Sequence, residues 1–252
     1  MMGHDRLNVA LITGAAGGIG AATARELHAA GFKLALWDVA ERFPVELSDD
    51  AVHVLTQRVD VTDASQVDAA LATIRSRWGG VSVLINNAGI SPKTPDGKGR
   101  GILTVSPEEW RGVLDINLTS LLTLIQKTAP DMMVQEWGRI VNLSSQAART
   151  RSTVPGVAYV CTKTAVLGLT RYAAEELGPH GITCNAVTPG RIASAMTASA
   201  GPEVTERLNS NTPLRRMGTP EEVAKAIAFF CAPSGDFVSG AVLDVNGGLF
   251  MQ

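Results

Sequence analysis

Leu7-Asn8-Val9-Ala10-Leu11-Ile12-Thr13-Gly14-Ala15-Ala16-Gly17-Gly18-Ile19-Gly20 decides the fold of this chain. The run from Leu7 to Ile12 is mostly apolar and reads as a buried strand. Ala21 to Ala30 is rich in Ala, Leu, Arg and Glu and reads as a helix. A glycine-rich turn between a strand and a helix is the context in which a glycine pattern becomes a nucleotide site. Gly14 permits the tight turn. Gly18 lets a pyrophosphate approach the backbone, and Gly20 lets the helix pack against the strand. The helix N-terminus then offers free N–H groups and the positive end of its dipole to phosphates.

The next apolar run, Lys33 to Trp37, ends in Asp38. An acidic residue about 20 positions after the glycine loop can accept hydrogen bonds from the adenosine ribose. Its charge repels a 2′-phosphate, and Ala15-Ala16-Gly17 supplies no cation to neutralise one. NAD is therefore favoured over NADP, with Arg42 the one nearby cation that argues the other way. Further along, Val81 to Ile85 runs into Asn86-Asn87-Ala88-Gly89, and Ile140 to Leu143 runs into Ser144-Ser145. Another apolar stretch ends in Asn185-Ala186-Val187-Thr188-Pro189-Gly190, and Asn117 lies in Asp115-Ile116-Asn117-Leu118. Polar clusters at strand ends matter because ligands of open parallel sheets bind outside the carboxyl ends of the strands. Strands are expected near 7–12, 33–38, 52–59, 81–86, 138–144, 181–188 and 241–245. Helices alternate with them, so the expected fold is α/β. It is a Rossmann-type, doubly wound, seven-stranded parallel sheet in a single domain over residues 1–252. Ser106-Pro107-Glu108-Glu109 and Thr219-Pro220-Glu221-Glu222 mark helix starts, each with a capping hydroxyl, Pro at N1 and Glu at N3. Asp115 to Val134 and Val157 to Leu177 read as long helices, apolar on more than one face. A helix apolar all round is buried, so these two are expected to pack against other copies of the chain.

Tyr159 and Lys163 stand four residues apart in the second of these helices, hence on one face. A free phenol has a pKa of about 10. A cation beside it stabilises the phenolate and draws that value down, leaving a group that exchanges a proton with an alcohol or carbonyl oxygen. Taken alone, a Tyr four residues before a Lys arises by chance. The glycine loop, Asp38 and the strand-end clusters turn it into a catalytic pair. Cys161, between the two, reads as a small packed residue.

Composition narrows the class. With 252 residues, 45% of them hydrophobic, the chain can bury a large core as one α/β domain. A net charge of −2 and dispersed Lys and Arg give no electrostatic case for nucleic acid or an anionic membrane. No apolar run reaches the roughly 18 residues of a membrane helix. The start Met-Met-Gly-His-Asp-Arg lacks a signal peptide's apolar core. Three cysteines, odd in number and scattered, fit a reducing cytoplasm. The four histidines form no cluster, so no metal site is indicated.

Thr-Gly-x3-Gly-x-Gly, Asn-Asn-Ala-Gly, Ser-Ser, Tyr-x3-Lys, Asn-Ala-Val-x-Pro-Gly and the Gly-Gly of Leu243-Asp244-Val245-Asn246-Gly247-Gly248 occur in this order from Asn8 to Met251. Together they resemble the short-chain dehydrogenase/reductase family, nearest its 3-oxoacyl-acyl-carrier-protein reductase-like members and related NAD-dependent alcohol and polyol dehydrogenases. The resemblance implies an enzyme that interconverts a secondary alcohol and a ketone, acting on a polyol, a hydroxy acid or a 3-oxoacyl compound. It implies Ser145, Tyr159 and Lys163 as the catalytic set, with Asn117 holding a relay water. It places the dinucleotide against Gly14, Gly18, Ile19, Gly20, Asp38, Asp60, Val61, Asn87, Ala88 and Gly89, with Tyr159 and Lys163 at the nicotinamide ribose. Pro189, Gly190, Ile192 and Ser194 would cradle the carboxamide, under a substrate lid near 191–213. It also implies a cytoplasmic homotetramer.

The chain departs from the family pattern in three places. The interval from Ser145 to Tyr159 is one position longer than usual, and the usual spacing would land on Gln146. The serine's role therefore goes to Ser145, with Ser144 as the alternative and an extra residue in the loop Arg149 to Gly156. The segment Ser91 to Gly101 is longer than usual. Ala15 and Ala16 replace the basic residue common in acyl-carrier-protein reductases, which favours a catabolic dehydrogenase. A catalytically silent NAD-binding redox sensor would lack one of Ser, Tyr or Lys. A methyltransferase would share the glycine loop but carry neither Tyr-x3-Lys nor Asn-Asn-Ala-Gly.

Overall fold

Seven strands form, each within two residues of its expected limits. In the computed structural model, which describes residues 8–150, 154–193, 206 and 209–251, they are β1 (Val9–Thr13), β2 (Lys33–Asp38), β3 (Val54–Arg58), β4 (Val83–Asn86), β5 (Gly138–Leu143), β6 (Ile182–Pro189) and β7 (Val242–Val245). They make one parallel sheet in the order β3-β2-β1-β4-β5-β6-β7. The winding reverses between β1 and β4, and that switch point is where such sheets open a crevice for ligands.

The strands are legible because both faces of the sheet are covered, which makes them near-continuous apolar runs. Successive side chains of a strand point to opposite faces. Val9 and Leu11 thus join one core with Leu71, Ile74, Leu124 and Met132. Those partners belong to helices α3 (Ala64–Trp78) and α5 (Ser120–Val134). Ala10 and Ile12 join the other core with Leu27, Val223, Ile227 and Phe230, from α1 (Gly18–Ala29) and the last helix, α7 (Pro220–Cys231). The long helix α6 (Val157–Leu177) covers the first face through Ala173 and Leu177. A short α2 (Val45–Ser48) follows β2.

Both helix starts are capped, in different ways. The Thr219 hydroxyl accepts the Glu222 N–H, and the Glu222 carboxylate returns to the Thr219 N–H at 2.9 Å, a complete capping box. The Ser106 hydroxyl accepts the Glu109 N–H at 3.2 Å and starts α4 (Pro107–Leu114). There the Glu109 carboxylate instead pairs with Arg100, so only half of the box forms.

One helix reading needs correction. The helix expected from Asp115 begins at Pro107, and a π-helical turn, Asp115–Thr119, joins α4 to α5. Wide turns of this kind recur at functional sites, and this one carries Asn117. Helix α6 keeps one side uncovered in the single chain. Its outward side presents Cys161, Thr164, Ala165, Gly168 and Tyr172, all exposed. Cys161 is therefore exposed in the single chain, because two helical steps rotate it about 200° from Tyr159.

Candidate active site

The glycine loop is built for close approach. Gly14 adopts φ +64°, and a Cβ there would stand 2.8 Å from the Asn87 amide nitrogen. A Cβ on Gly20 would stand 2.1 Å from the Gly14 carbonyl oxygen, so the loop packs directly on the helix backbone. Gly17 and Gly18 instead face open space, with nothing within 4 Å of a built Cβ. No side chain caps the N-terminus of α1 and no acid sits in its first turn. Its orphan N–H groups and dipole are left for an anion. An open glycine backbone, an uncapped helix start and a nearby carboxylate fit the pyrophosphate and ribose of a dinucleotide.

That carboxylate is Asp38, fixed by two backbone amides. One oxygen accepts from the Ala16 N–H and the other from the Ala40 N–H, each at 3.0 Å. Asp38 lines a hollow of about 360 Å³ together with Gly14, Asp60, Val61, Asn87, Ala88 and Gly89. The structure thus gathers residues from four strand ends into one cleft at the switch point. Asn87 braces it by donating to the Thr13 and Gly14 carbonyls at 2.9 and 3.0 Å. The Thr13 hydroxyl accepts the Asn87 and Ala88 N–H groups at 3.1 and 3.0 Å. This tie between β1 and β4 carries no sequence signal beyond its place in the motif.

At its inner end the cleft meets the Tyr159 helix. A Cβ on Gly89 would lie 3.2 Å from the Asn117 side-chain oxygen and 3.4 Å from the Lys163 ammonium. Asn117 pairs with the Ile90 backbone, accepting its N–H at 2.8 Å and donating to its carbonyl at 2.9 Å. Its amide also reaches the Thr162 hydroxyl at 3.4 Å. The Ser145 hydroxyl accepts the Ala147 N–H at 3.2 Å and is near enough to the Tyr159 phenol to lower its pKa. Ser144 points elsewhere, donating to the Lys163 carbonyl at 2.6 Å. The two serines thus divide as alternate faces of an extended backbone require.

Lys163 is buried, and its ammonium donates to the Leu143 carbonyl at 2.6 Å. It lies 5.8 Å from the centre of the Tyr159 ring. Here the electrostatics differ from the sequence-based expectation. Burial raises the Tyr159 pKa above the ordinary tyrosine value, and the nearby Ser145 hydroxyl opposes this. The Lys163 ammonium is directed at the Leu143 carbonyl and is not among the groups that shift the phenol here. Burial also pulls Lys163 down to about 8.

That shift makes a prediction. Lys163 is depressed in the folded chain, so between about pH 8 and the ordinary lysine value of 10.5 the unfolded chain holds one proton more. The Lys163 contribution to stability therefore increases as pH rises through this window. Denaturant melts across it should show that rise in the ligand-free protein, and Lys163→Met should remove it.

The remaining expected residues lie beside the cleft. Pro189 ends β6, and the Gly190 N–H donates to the Val245 carbonyl at 2.9 Å. Ile192 lines a second hollow of about 210 Å³ with Asp244, Asn246 and Gly247. Ser194 lies outside the described residues, as does most of the segment 191–213 expected to form the lid.

Comparison with known proteins agrees with this geometry. The family model described as Enoyl-(Acyl carrier protein) reductase matches residues 14–250. The chain belongs to the short-chain dehydrogenase/reductase family. Within it, the 3-oxoacyl-[acyl-carrier-protein] reductase FabG of Staphylococcus aureus is 36% identical over 248 residues, covering 96% of this chain and 98% of that protein. Protein FixR of Bradyrhizobium diazoefficiens is 38% identical over 247 residues, covering 95% of this chain and 86% of that one. The crystal structure of a 3-oxoacyl-[acyl-carrier protein] reductase with bound NAD from Brucella melitensis shares 36% identity and a TM-score of 0.84, covering 97% of this chain and 91% of that one. This short-chain dehydrogenase/reductase is thus an oxidoreductase with full-length reductase relatives. Among its described residues, no helix is long and apolar enough to cross a membrane.

Proposed function

We propose that this chain is an NAD-dependent oxidoreductase that interconverts a secondary alcohol and a ketone, with Tyr159 as its proton donor and acceptor. The observation that carries this reading is the Lys163 ammonium, 3.4 Å from where a Cβ on Gly89 would stand, at the inner end of the cleft lined by Gly14, Asp38 and Gly89, with the Ser145 hydroxyl acting on the Tyr159 phenol beside it. The nicotinamide, when bound, supplies or takes up the hydride.

The chain's own residues handle the proton and the positions. Ser145 donates to the substrate oxygen and keeps it within hydrogen-bond reach of Tyr159. In reduction Tyr159 gives its proton to that oxygen, and in oxidation it takes the proton back. Lys163 is assigned to the nicotinamide ribose. A diol there would compete with Leu143 for its three donors. Asn117 holds Ile90 beside Lys163 and is assigned the relay water. Gly14, Gly18, Ile19, Gly20 and Asp38 are assigned to the pyrophosphate and adenosine ribose, and Asp60 and Val61 to the adenine. Asn87, Ala88 and Gly89 form the floor between them. Pro189, Gly190, Ile192 and Ser194 are assigned to the carboxamide, below a lid near 191–213.

Relatives named as 3-oxoacyl-[acyl-carrier-protein] reductases support a second reading of the substrate, a 3-oxoacyl thioester. The chemistry at the ketone is the same. Ala15 and Ala16 in the glycine loop favour NAD and a catabolic alcohol or hydroxy acid. We also propose a cytoplasmic homotetramer, built on the small-residue outward face of α6 and on Leu122 of α5, which is exposed in the single chain.

Cofactor choice is directly testable. Asp38 sits where a 2′-phosphate would meet a carboxylate, so NAD(H) should bind at least about tenfold more tightly than NADP(H), about 1.4 kcal/mol. Equal affinities in a fluorescence titration would contradict this and point to exposed Arg42 as a phosphate partner.

A further inference from the structure

We infer that Arg149 is a positioning residue for Ser145 that ties the turn after the serine to the C-terminal segment, an inference that rests on the oxidoreductase reading above. Ser145 has extended backbone and opens a single 3-10 turn, Gln146–Ala148. Three bonds define this turn. The Ala147 N–H donates to the Ser145 hydroxyl at 3.2 Å. The Ala148 N–H donates to the Ser145 carbonyl and the Arg149 N–H to the Gln146 carbonyl, each at 2.9 Å. The first bond bears on the chemistry. A serine oxygen that accepts from Ala147 still has its own hydrogen to donate to a substrate oxygen. The place of the Ala147 amide thus selects the Ser145 rotamer among its staggered wells.

A lone 3-10 turn has poor hydrogen-bond geometry, so its far end needs an anchor. Arg149 supplies it. Its guanidinium pairs with Asp244 of β7 at 3.5 Å and lies 5.0 Å from the centre of the Phe250 ring, within cation–π range. The Arg149 and Asp244 side chains are only 16% and 23% exposed, so each charge relies on the other in place of water. Both partners are fixed in turn. The Thr188 hydroxyl of β6 donates to the second Asp244 oxygen. The Asn246 side chain donates to the Phe250 carbonyl at 3.1 Å and accepts the Gly248 N–H at 2.8 Å. Gly247 and Gly248 make that tight turn with φ of +65° and +84°, conformations that glycine permits. The tether therefore runs from the serine turn at the end of β5, across β6, to the segment that follows β7. Neither Arg149 nor Phe250 lines the hollow at the switch point, so cutting the tether should spare dinucleotide binding.

The test uses the full chain, NADH and the best-reduced ketone of a panel of methyl ketones, cyclic ketones and oxo acids. Arg149→Met should lower kcat by about tenfold or more, the scale of a slightly misplaced group, with the NADH dissociation constant unchanged. Ser145→Ala should cost the wild type on the order of 10²–10³ in turnover. It should cost at least about tenfold less in the Arg149→Met background, because residues that act as a unit are not additive. Melting separates this from lost stability. Arg149→Met leaves Asp244 without Arg149 and should lower Tm. Arg149→Met/Asp244→Asn removes both charges and should recover Tm but not kcat. If Arg149→Met does not fold, the double variant carries the same comparison with Ser145→Ala. Equal costs of Ser145→Ala in the two backgrounds would overturn the inference and leave the oxidoreductase reading intact. Recovery of kcat along with Tm in the double variant would do the same. A wild type that binds NADH and reduces no ketone would overturn both.

Discussion

Tyr159→Phe should lose at least about 10²-fold in turnover, within the 10²–10⁴ range of a positioned proton donor. The substitution keeps the ring and removes only the hydroxyl. Tyr159 belongs to a helix held by its capped first turn and by the Lys163–Leu143 bond, so the fold should not respond. Dinucleotide affinity should stay within a factor of about two, because the cleft from Gly14 to Gly89 is untouched. The pH dependence has a definite sign. Burial holds the phenol protonated through neutral pH in the ligand-free protein. Reduction, which needs the phenol as an acid, should therefore be sustained at neutral pH. Oxidation, which needs the phenolate, should rise with pH. A Tyr159→Phe protein with wild-type turnover would remove the proton donor from the account.

Ser145→Ala should cost on the order of 10²–10³ in turnover, the scale for one preorganised donor to a developing oxyanion. Ser144→Ala separates this from a merely structural effect. Ser144 bonds the Lys163 carbonyl at 2.6 Å, so its loss should appear as about 1 kcal/mol of stability and leave most of the turnover. If the two variants exchanged these behaviours, the assignment of the serines would reverse.

How much of this was legible in the sequence depended on what each feature needs. Strands such as Val9–Thr13 were legible because burial on both faces of a parallel sheet makes them continuously apolar. The glycine loop was legible because backbone approach to a phosphate restricts side chains at fixed offsets. The assignment of Ser145 over Ser144 followed from a motif, and the Ser144 hydroxyl is engaged by the Lys163 carbonyl.

Other features leave no such trace. The π turn at Asp115–Thr119 depends on tertiary packing, and Asp-Ile-Asn-Leu-Thr reads equally well as ordinary helix. Glu109 sits at capping-box spacing, but Arg100 competes for it from a loop whose path no local pattern predicts. The i,i+4 spacing put Lys163 beside Tyr159 and said nothing of where the ammonium points. A backbone carbonyl, Leu143, takes it, and backbone acceptors are invisible in sequence. Cys161 is exposed in the single chain for a simpler reason, since its angle on the helix wheel placed it away from the Tyr159 face.

Isotope transfer tests the central claim most directly. A panel of methyl ketones, cyclic ketones and oxo acids is offered with NADH deuterated on its reactive carbon, and the best-reduced ketone is analysed by mass spectrometry. The account predicts one deuterium on the carbinol carbon of the product alcohol, none acquired there from heavy-water solvent, and loss of this transfer in Tyr159→Phe. Deuterium that remains on the cofactor, or a carbinol hydrogen drawn from solvent, would contradict it.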